Sequence, residues 1–266
     1  MKTKIYYFSA TGNSFQVAKK IAAGIGEAEL ISIPQKLKAS IDTSGAKIGL
    51  VFPVYAWGMP RIVSDFLKKL TLHKEQYIFA VATNAGTPGG TLKQLEKRLR
   101  RKGAHLNAGF AVREANFTAL SGNLLITLMS RLNKTMPEPS SERLQEIIET
   151  IKHNRNHPPE TSSRGANFVG NLFHGLALWA FQTQDRNFRV KEQCNNCRIC
   201  ERVCPRSNIK IEHAKPTWNH HCELCFACLQ WCPQSAIQYQ NGTTGERKAS
   251  HLRHHPEVRL DDLLLR

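Results

Sequence analysis

The sequence predicts an α/β protein: a doubly wound, parallel five-stranded sheet followed by a small α+β domain. Three observations carry that expectation. Apolar, strand-like runs alternate with helical patterns through residues 4–155. Short turns of small and polar residues follow three of those runs. All eight cysteines then fall in two copies of one pattern, Cys194-x2-Cys197-x2-Cys200-x3-Cys204-Pro205 and Cys222-x2-Cys225-x2-Cys228-x3-Cys232-Pro233.

The elements follow in order. Ile5-Tyr6-Tyr7-Phe8 is a first strand ending in the turn Ser9-Ala10-Thr11-Gly12-Asn13-Ser14. A helix comes next, with Phe15, Ala18, Ala22 and Ile25 on one face and Lys19 and Lys20 off it. Leu30–Ile33 and Ile48–Phe52 give the second and third strands. Pro60 can open a helix running to about Leu70, because a first turn tolerates proline. Tyr77–Ala82 is a fourth strand, a helix spans about Thr91–Arg101, and a fifth strand lies near Leu106–Val112. The last helix, roughly Ser141–Asn154, has Leu144, Ile147, Ile148 and Ile151 as its apolar stripe. Five strands separated by helices imply a parallel sheet covered on both faces. Ligands of such sheets bind beyond the carboxyl ends of the strands, where strand order reverses.

Three loops lie at that edge. Ser9, Ala10, Thr11, Gly12, Asn13 and Ser14 bring small hydroxyl side chains and backbone N–H groups to a helix start, a nest suited to phosphate. Pro53, Tyr55, Trp57 and Gly58 belong to a second loop, whose two aromatics could stack on a flat ring. Thr83, Asn84 and Gly86 lie in a third, able to present backbone groups to a ring's polar edge. Taken singly, the first turn could be an ordinary helix cap and the aromatics ordinary packing. Together, in this order, they resemble the flavodoxin FMN site, with the phosphate signature Ser/Thr-x-Thr-Gly-x-Ser/Thr standing as Ser9, Thr11, Gly12 and Ser14. The resemblance covers roughly residues 1–155 and implies FMN. It departs in one respect: the third loop, through Gly90, has no aromatic to cover the ring's second face.

The cysteine pattern resembles that of bacterial ferredoxins carrying two [4Fe-4S] clusters, in which the fourth ligand of each cluster comes from the other motif. That resemblance implies Cys194, Cys197, Cys200 and Cys232 on one cluster, and Cys222, Cys225, Cys228 and Cys204 on the second. The surrounding sequence repeats as well: Cys204-Pro205-Arg206-Ser207-Asn208-Ile209 is echoed by Cys232-Pro233-Gln234-Ser235-Ala236-Ile237. Two similar half-units about a pseudo-twofold axis are therefore expected. Disulfides and zinc are the competing readings. The start Met1-Lys2-Thr3-Lys4 shows no signal peptide, which points to a reducing cytoplasm. Zinc sites more often pair two C-x-x-C units across a spacer.

Composition bounds the remaining possibilities. At 266 residues with 22% charged and 41% apolar residues, the chain is long enough for two folded domains. No uncharged apolar stretch reaches the ~20 residues needed to span a bilayer. The formal charge is +16, which favours anionic partners, with acidic redox proteins as the natural candidates. The densest basic run, Lys97–Lys102 at a helix end, has no interleaved aromatics, so nucleic acid is not expected. His220 and His221 are expected to be solvent-exposed, and His251, His254 and His255 to lie in a basic tail.

The proposed divisions are an FMN-binding domain over 1–155, a linker and docking helix over 156–185, a cluster domain over 186–241, and a basic tail over 242–266. Ala166–Gln182 is read as a helix whose apolar side chains pack one domain on the other; a membrane-surface helix is the lesser alternative. Leu120–Asn133 is read as a further apolar core or domain contact. The whole resembles the flavodoxin–ferredoxin fusion family of anaerobic bacteria and archaea, commonly labelled 4Fe-4S-binding ferredoxin-like proteins. That implies a cytoplasmic electron carrier moving electrons between protein partners through FMN and two clusters. Two other functions stay open: a flavin-dependent reductase of a small molecule fed by its own clusters, and a non-catalytic iron–sulfur sensor or binding module. Gly24-x-Gly26 follows a helix and so lacks the context of a nicotinamide site.

Overall fold

The computed structural model describes residues 2–37, 41–113, 141–239 and 254–264. The amino-terminal half runs β1 (Thr3–Tyr7), α1 (Asn13–Ile25), β2 (Ala28–Ser32), a two-residue β3 (Ile41–Asp42), β4 (Lys47–Pro53) and α2 (Arg61–Lys69). It continues with β5 (Leu70–Thr71, paired with β3), β6 (Ile78–Asn84), α3 (Thr91–Arg100), β7 (Ala108–Arg113) and α4 (Ser141–Lys152). The five long strands form one parallel sheet in the order β2-β1-β4-β6-β7. Among these five, chain order reverses between β1 and β4, which makes that crevice the topological switch point.

Strand alternation explains the two cores. On one face Ile5, Tyr7, Val51, Phe79, Val81 and Phe110 meet Ala18 and Ile21 of α1 and Ile147 and Ile151 of α4. On the other, Tyr6, Phe8, Leu50, Phe52, Ile78 and Ala80 meet Ile62 and Phe66 of α2 and Leu92, Leu95 and Leu99 of α3. Successive side chains point to opposite faces, so each strand feeds both layers. Lys68 and Lys69 close α2, and Lys97, Arg98 and Arg100 close α3, where cations complement the helix dipole. Every long strand and helix expected from periodicity is present, with ends moved by a few residues. Leu120–Asn133 lies outside the described residues.

The carboxy-terminal half starts with α5 (Arg164–Thr183), followed by β8 (Phe188–Val190), α6 (Ile199–Arg202), β9 (Ile209–Glu212), β10 (Lys215–Trp218), α7 (Ala227–Gln230) and β11 (Ile237–Tyr239). β8 pairs with β11 and β9 with β10, both antiparallel. A third core of Phe188, Ile209, Leu224, Phe226, Leu229, Ile237 and Tyr239 lies between the pairs. The 28-residue repeat of the sequence is written into the backbone. Asn196 and Leu224, Arg198 and Phe226, and Ser207 and Ser235 are equivalent positions, and all six have φ between 48° and 60°. Such left-handed turns at non-glycine residues cost of order 1–3 kcal/mol each and persist where the surroundings over-determine them.

Close packing across the sheet is tightest at Gly49, whose β4 position pairs with Phe79 on β6. A Cβ there would sit 2.4 Å from Phe79 Cζ, and that ring is fully buried. Gly49→Ala is therefore expected to lower the urea-unfolding free energy by about 1–3 kcal/mol through overpacking.

Candidate functional site

Eight free thiols stand around two cavities. Cys194, Cys197, Cys200 and Cys232 line the first, about 350 Å³, together with Ile199, Ile211, Pro216 and Ile237. Cys204, Cys222, Cys225 and Cys228 line the second, about 310 Å³, with Phe188, Ile209, Trp218 and Phe226. Each ring thus takes three cysteines from one motif and its fourth from the other. The first ring reaches the surface at Cys197, which is exposed; Cys204 and Cys228 of the second are buried.

Local conformation aims N–H groups at the sulfurs. Asn208 N–H donates to Cys204 Sγ at 3.2 Å, and its repeat equivalent, Ala236 N–H, donates to Cys232 Sγ at 3.3 Å. The left-handed residues Ser207 and Ser235 immediately precede these donors. Leu224 N–H donates to Cys222 Sγ at 3.2 Å. Burial pushes the Cys200 and Cys222 thiols up to about 12 and those of Cys225 and Cys228 well above their ordinary value. Thiols so desolvated ionise only beside a cation that compensates the charge. Among the described residues, no three His, Cys, Asp or Glu are gathered for a single metal ion.

The second ring sits on the carboxyl edge of the parallel sheet. Cys225 packs against both sheet cores. Tyr55, in the loop after β4, rests edge-on against Phe8; its hydroxyl is pushed well above its ordinary range by burial, then by Cys225, Glu223 and Cys222. Trp231 Nε1 donates to the Ala10 carbonyl at 2.9 Å, and its ring stacks on His254. Glu223 is buried and accepts from Ile62 N–H at 3.0 Å, at the start of α2. Arg61 and Arg206 each approach its other oxygen at 3.8 Å, while Arg206 also binds Asp65 at 3.0 Å. Arg61 donates to the carbonyls of His221 and Cys222. Burial raises the Glu223 carboxyl, against the pull of both guanidiniums.

The three edge loops meet as expected from the fold. Gly12 has φ 96°, and its N–H donates to Ser9 Oγ; Ser14 Oγ lies 2.7 Å from Thr83 Oγ1, tying the first loop to the third. Pro53 ends β4, and Val54 N–H donates to the Thr83 carbonyl. Tyr55 and Gly58 exchange backbone hydrogen bonds around Ala56 and Trp57, both with positive φ. Asn84 donates to the Val112 carbonyl and accepts from Gly86 N–H. Asn13 opens α1, whose first turn holds no acidic residue, so a phosphate there would meet no like charge on the helix. The small hydroxyl and glycine residues of this turn have the chemistry of a phosphate nest, and residues 254–264 lie on it: Val258 and His255 are within about 3 Å of a Cβ at Gly12, and the Glu257 carboxylate accepts from Gln16 of α1. Trp57 is partly engaged elsewhere: a Cβ at Gly89 would meet its carbonyl at 2.4 Å, and one at Gly170 of α5 would meet its Cβ at 3.0 Å.

A family model for the flavodoxin domain matches residues 4–137. The chain belongs to that family. Membership supports an FMN-binding redox role for the flavodoxin domain. Similar solved structures include a flavodoxin from the domain Archaea, at 15% identity over 58% of this chain and 96% of that one, TM-score 0.37. Two-electron-reduced Megasphaera elsdenii flavodoxin is 16% identical over 57% of this chain and 98% of that one, TM-score 0.37. An FMN-dependent NADH-azoreductase from Bacillus anthracis, solved with FMN, is 12% identical over 57% of this chain and 100% of that one, TM-score 0.38. No curated protein matches.

Several placements differ from the sequence reading. The tail is not simply a solvated basic segment: His255 N–H donates to the Thr11 carbonyl, Glu257 accepts from Gln16, and Val258 and Leu264 enter a sheet core. His251 lies outside the described residues. His220 is half-exposed, yet its Nδ1 lies 2.6 Å from the buried Asp185 carboxylate, which also accepts from His220 N–H and Asn208. Glu223 and Asp185 carried no motif signal; each is an isolated acid whose role exists only after folding. Glu223→Ala is expected to cost about 3 kcal/mol in urea unfolding, because Ile62 N–H loses its acceptor and two guanidiniums lose a nearby counter-charge, whereas Glu223→Gln, which keeps the acceptor for Ile62, costs less.

Proposed function

We propose that the protein is an iron–sulfur flavoprotein that transfers electrons between redox partners through FMN and two [4Fe-4S] clusters. The observation that carries this reading is the pair of four-thiol cavities, one opening to the surface and one seated on the flavodoxin domain's ligand edge. When bound, the three groups would supply one- and two-electron chemistry, the flavin handling electrons singly or in pairs and each cluster one at a time. Cys194, Cys197, Cys200 and Cys232 would hold the outer cluster, and Cys204, Cys222, Cys225 and Cys228 the inner one. Asn208, Ala236 and Leu224 N–H groups would stabilise the thiolates by hydrogen bonding, as outer partners do at metal centres.

The first loop, Ser9–Ser14, would cradle the phosphate, with Tyr55 and Trp57 bounding the ring and Thr83–Gly86 facing its polar edge. Phe188, Trp218 and Phe226 pack against one another and give the inner ring of thiols an apolar lining. The basic surface fits acidic redox proteins in a cytoplasmic setting, and the exposed edge at Cys197 is where such a partner would approach.

Protein isolated anaerobically is expected to contain about eight irons and eight sulfides per chain, by the two-cubane assignment. Cys204→Ala should remove the magnetic signature of the cluster held by Cys222, Cys225 and Cys228; loss confined to the Cys194–Cys200 cluster would refute the exchange. Gly12→Val, strained at φ 96° and pressed against Val258 and His255, should lower bound flavin while leaving iron content unchanged.

A further inference from the structure

Helix α5 is amphipathic in the inverse sense. Its inward side is polar or small: Asn167 donates to Thr161 Oγ1 and the Ser162 carbonyl, Gly170 lies on Trp57, Asn171 accepts from Gln94 of α3, and His174 Nδ1 lies 3.1 Å from the Ala56 carbonyl. Its outward side is apolar. Phe168 is 75% exposed, Leu172 63%, Leu176 64% and Trp179 73%, with Val169 and Phe173 beside them. The spacing i, i+4, i+8, i+11 sets these four in one stripe about 16 Å long. Among the described residues, the side chains expected to glue the two domains together thus face away from both, while Phe181 at the helix end touches the third core.

Charge specifies what this face suits. Between Arg164 and Asp185, α5 carries no charged residue. Beside it runs α3, joined through Gln94–Asn171; burial, and after it Arg98 of α3, disfavours the charged form of His174. Lys93, Lys97, Arg98 and Arg100 of α3 and the following Arg101 and Lys102 are all exposed. An apolar stripe with Phe and Trp is how a helix enters a membrane interface, and the cations that such a helix usually carries on its own polar face are here supplied by α3. Among the described residues no helix is long and apolar enough to cross a membrane.

We propose that α5 and the basic surface of α3 form a docking site for an anionic lipid bilayer, with Phe168, Leu172, Leu176 and Trp179 entering the headgroup region. The proposal stands apart from the redox reading. It is tested by sedimenting the full chain, as purified with its cofactors, with vesicles of phosphatidylcholine alone or mixed with phosphatidylglycerol. Binding is expected only to the anionic vesicles, weakening with salt, and with a blue shift of tryptophan emission that Trp179→Phe removes. Lys97→Gln and Arg98→Gln should each weaken binding about five-fold. Leu172→Ser with Leu176→Ser should weaken it by about ten-fold or more. Failure to sediment, or binding that the double serine variant leaves unchanged, overturns the proposal. So does a dimer in analytical ultracentrifugation that the serine variant dissolves and vesicles leave intact, which would make a second copy of the chain the occupant.

Discussion

The crossing of two cysteines between repeats governs the carboxy-terminal half. Cys204 follows the first motif yet lines the second cavity, and Cys232 follows the second yet lines the first. Neither half-unit can complete its ring alone, so the two must fold around each other. The left-handed residues at equivalent positions follow from the same requirement: the chain must curl tightly enough to bring three thiols to one side, then turn sharply to send the fourth across. The N–H groups that follow Ser207 and Ser235 end on sulfur rather than on a carbonyl because those turns aim them there.

The second constraint is the seating of that half on the sheet edge. Parallel sheets present helix starts and strand ends on one rim, and here that rim meets Trp231, Cys225 and Glu223 together. Apolar contact is broad and non-directional, whereas the buried Glu223 with Ile62 N–H and the paired arginines fixes orientation. The inner cavity is consequently held by the same residues that hold the two halves together. Tyr55 belongs to both environments, packed on Phe8 below and felt by the thiols above.

Much of this was legible in the chain. Continuous apolar runs at Ile5–Phe8 and Ile48–Phe52 marked strands covered on both faces, and the apolar stripe of 144–151 marked a helix because its period reflects which face is buried. Cysteine spacing marked the ring members, since ligand reach constrains sequence directly. Contacts between distant segments left no such trace. The apolar residues of α5 looked like an interdomain seam, yet hydrophobicity alone does not say which neighbour lies opposite. The inward positions Asn167, Asn171 and His174 were the contrary signal: polar residues at helical spacing, each paired with backbone or side-chain groups. Asp185 and Glu223 were invisible for the same reason, as single acids without a pattern.

The docking of residues 254–264 has a consequence for how the molecule is made. Val258 and Leu264 complete a core begun by Ile5, Phe15 and Ile21, and the Thr11 carbonyl is satisfied by His255. During synthesis on the ribosome the first strand and helix emerge long before these partners exist. The contacts that these residues make with the amino-terminal layer can therefore form only after this late segment has left the exit tunnel.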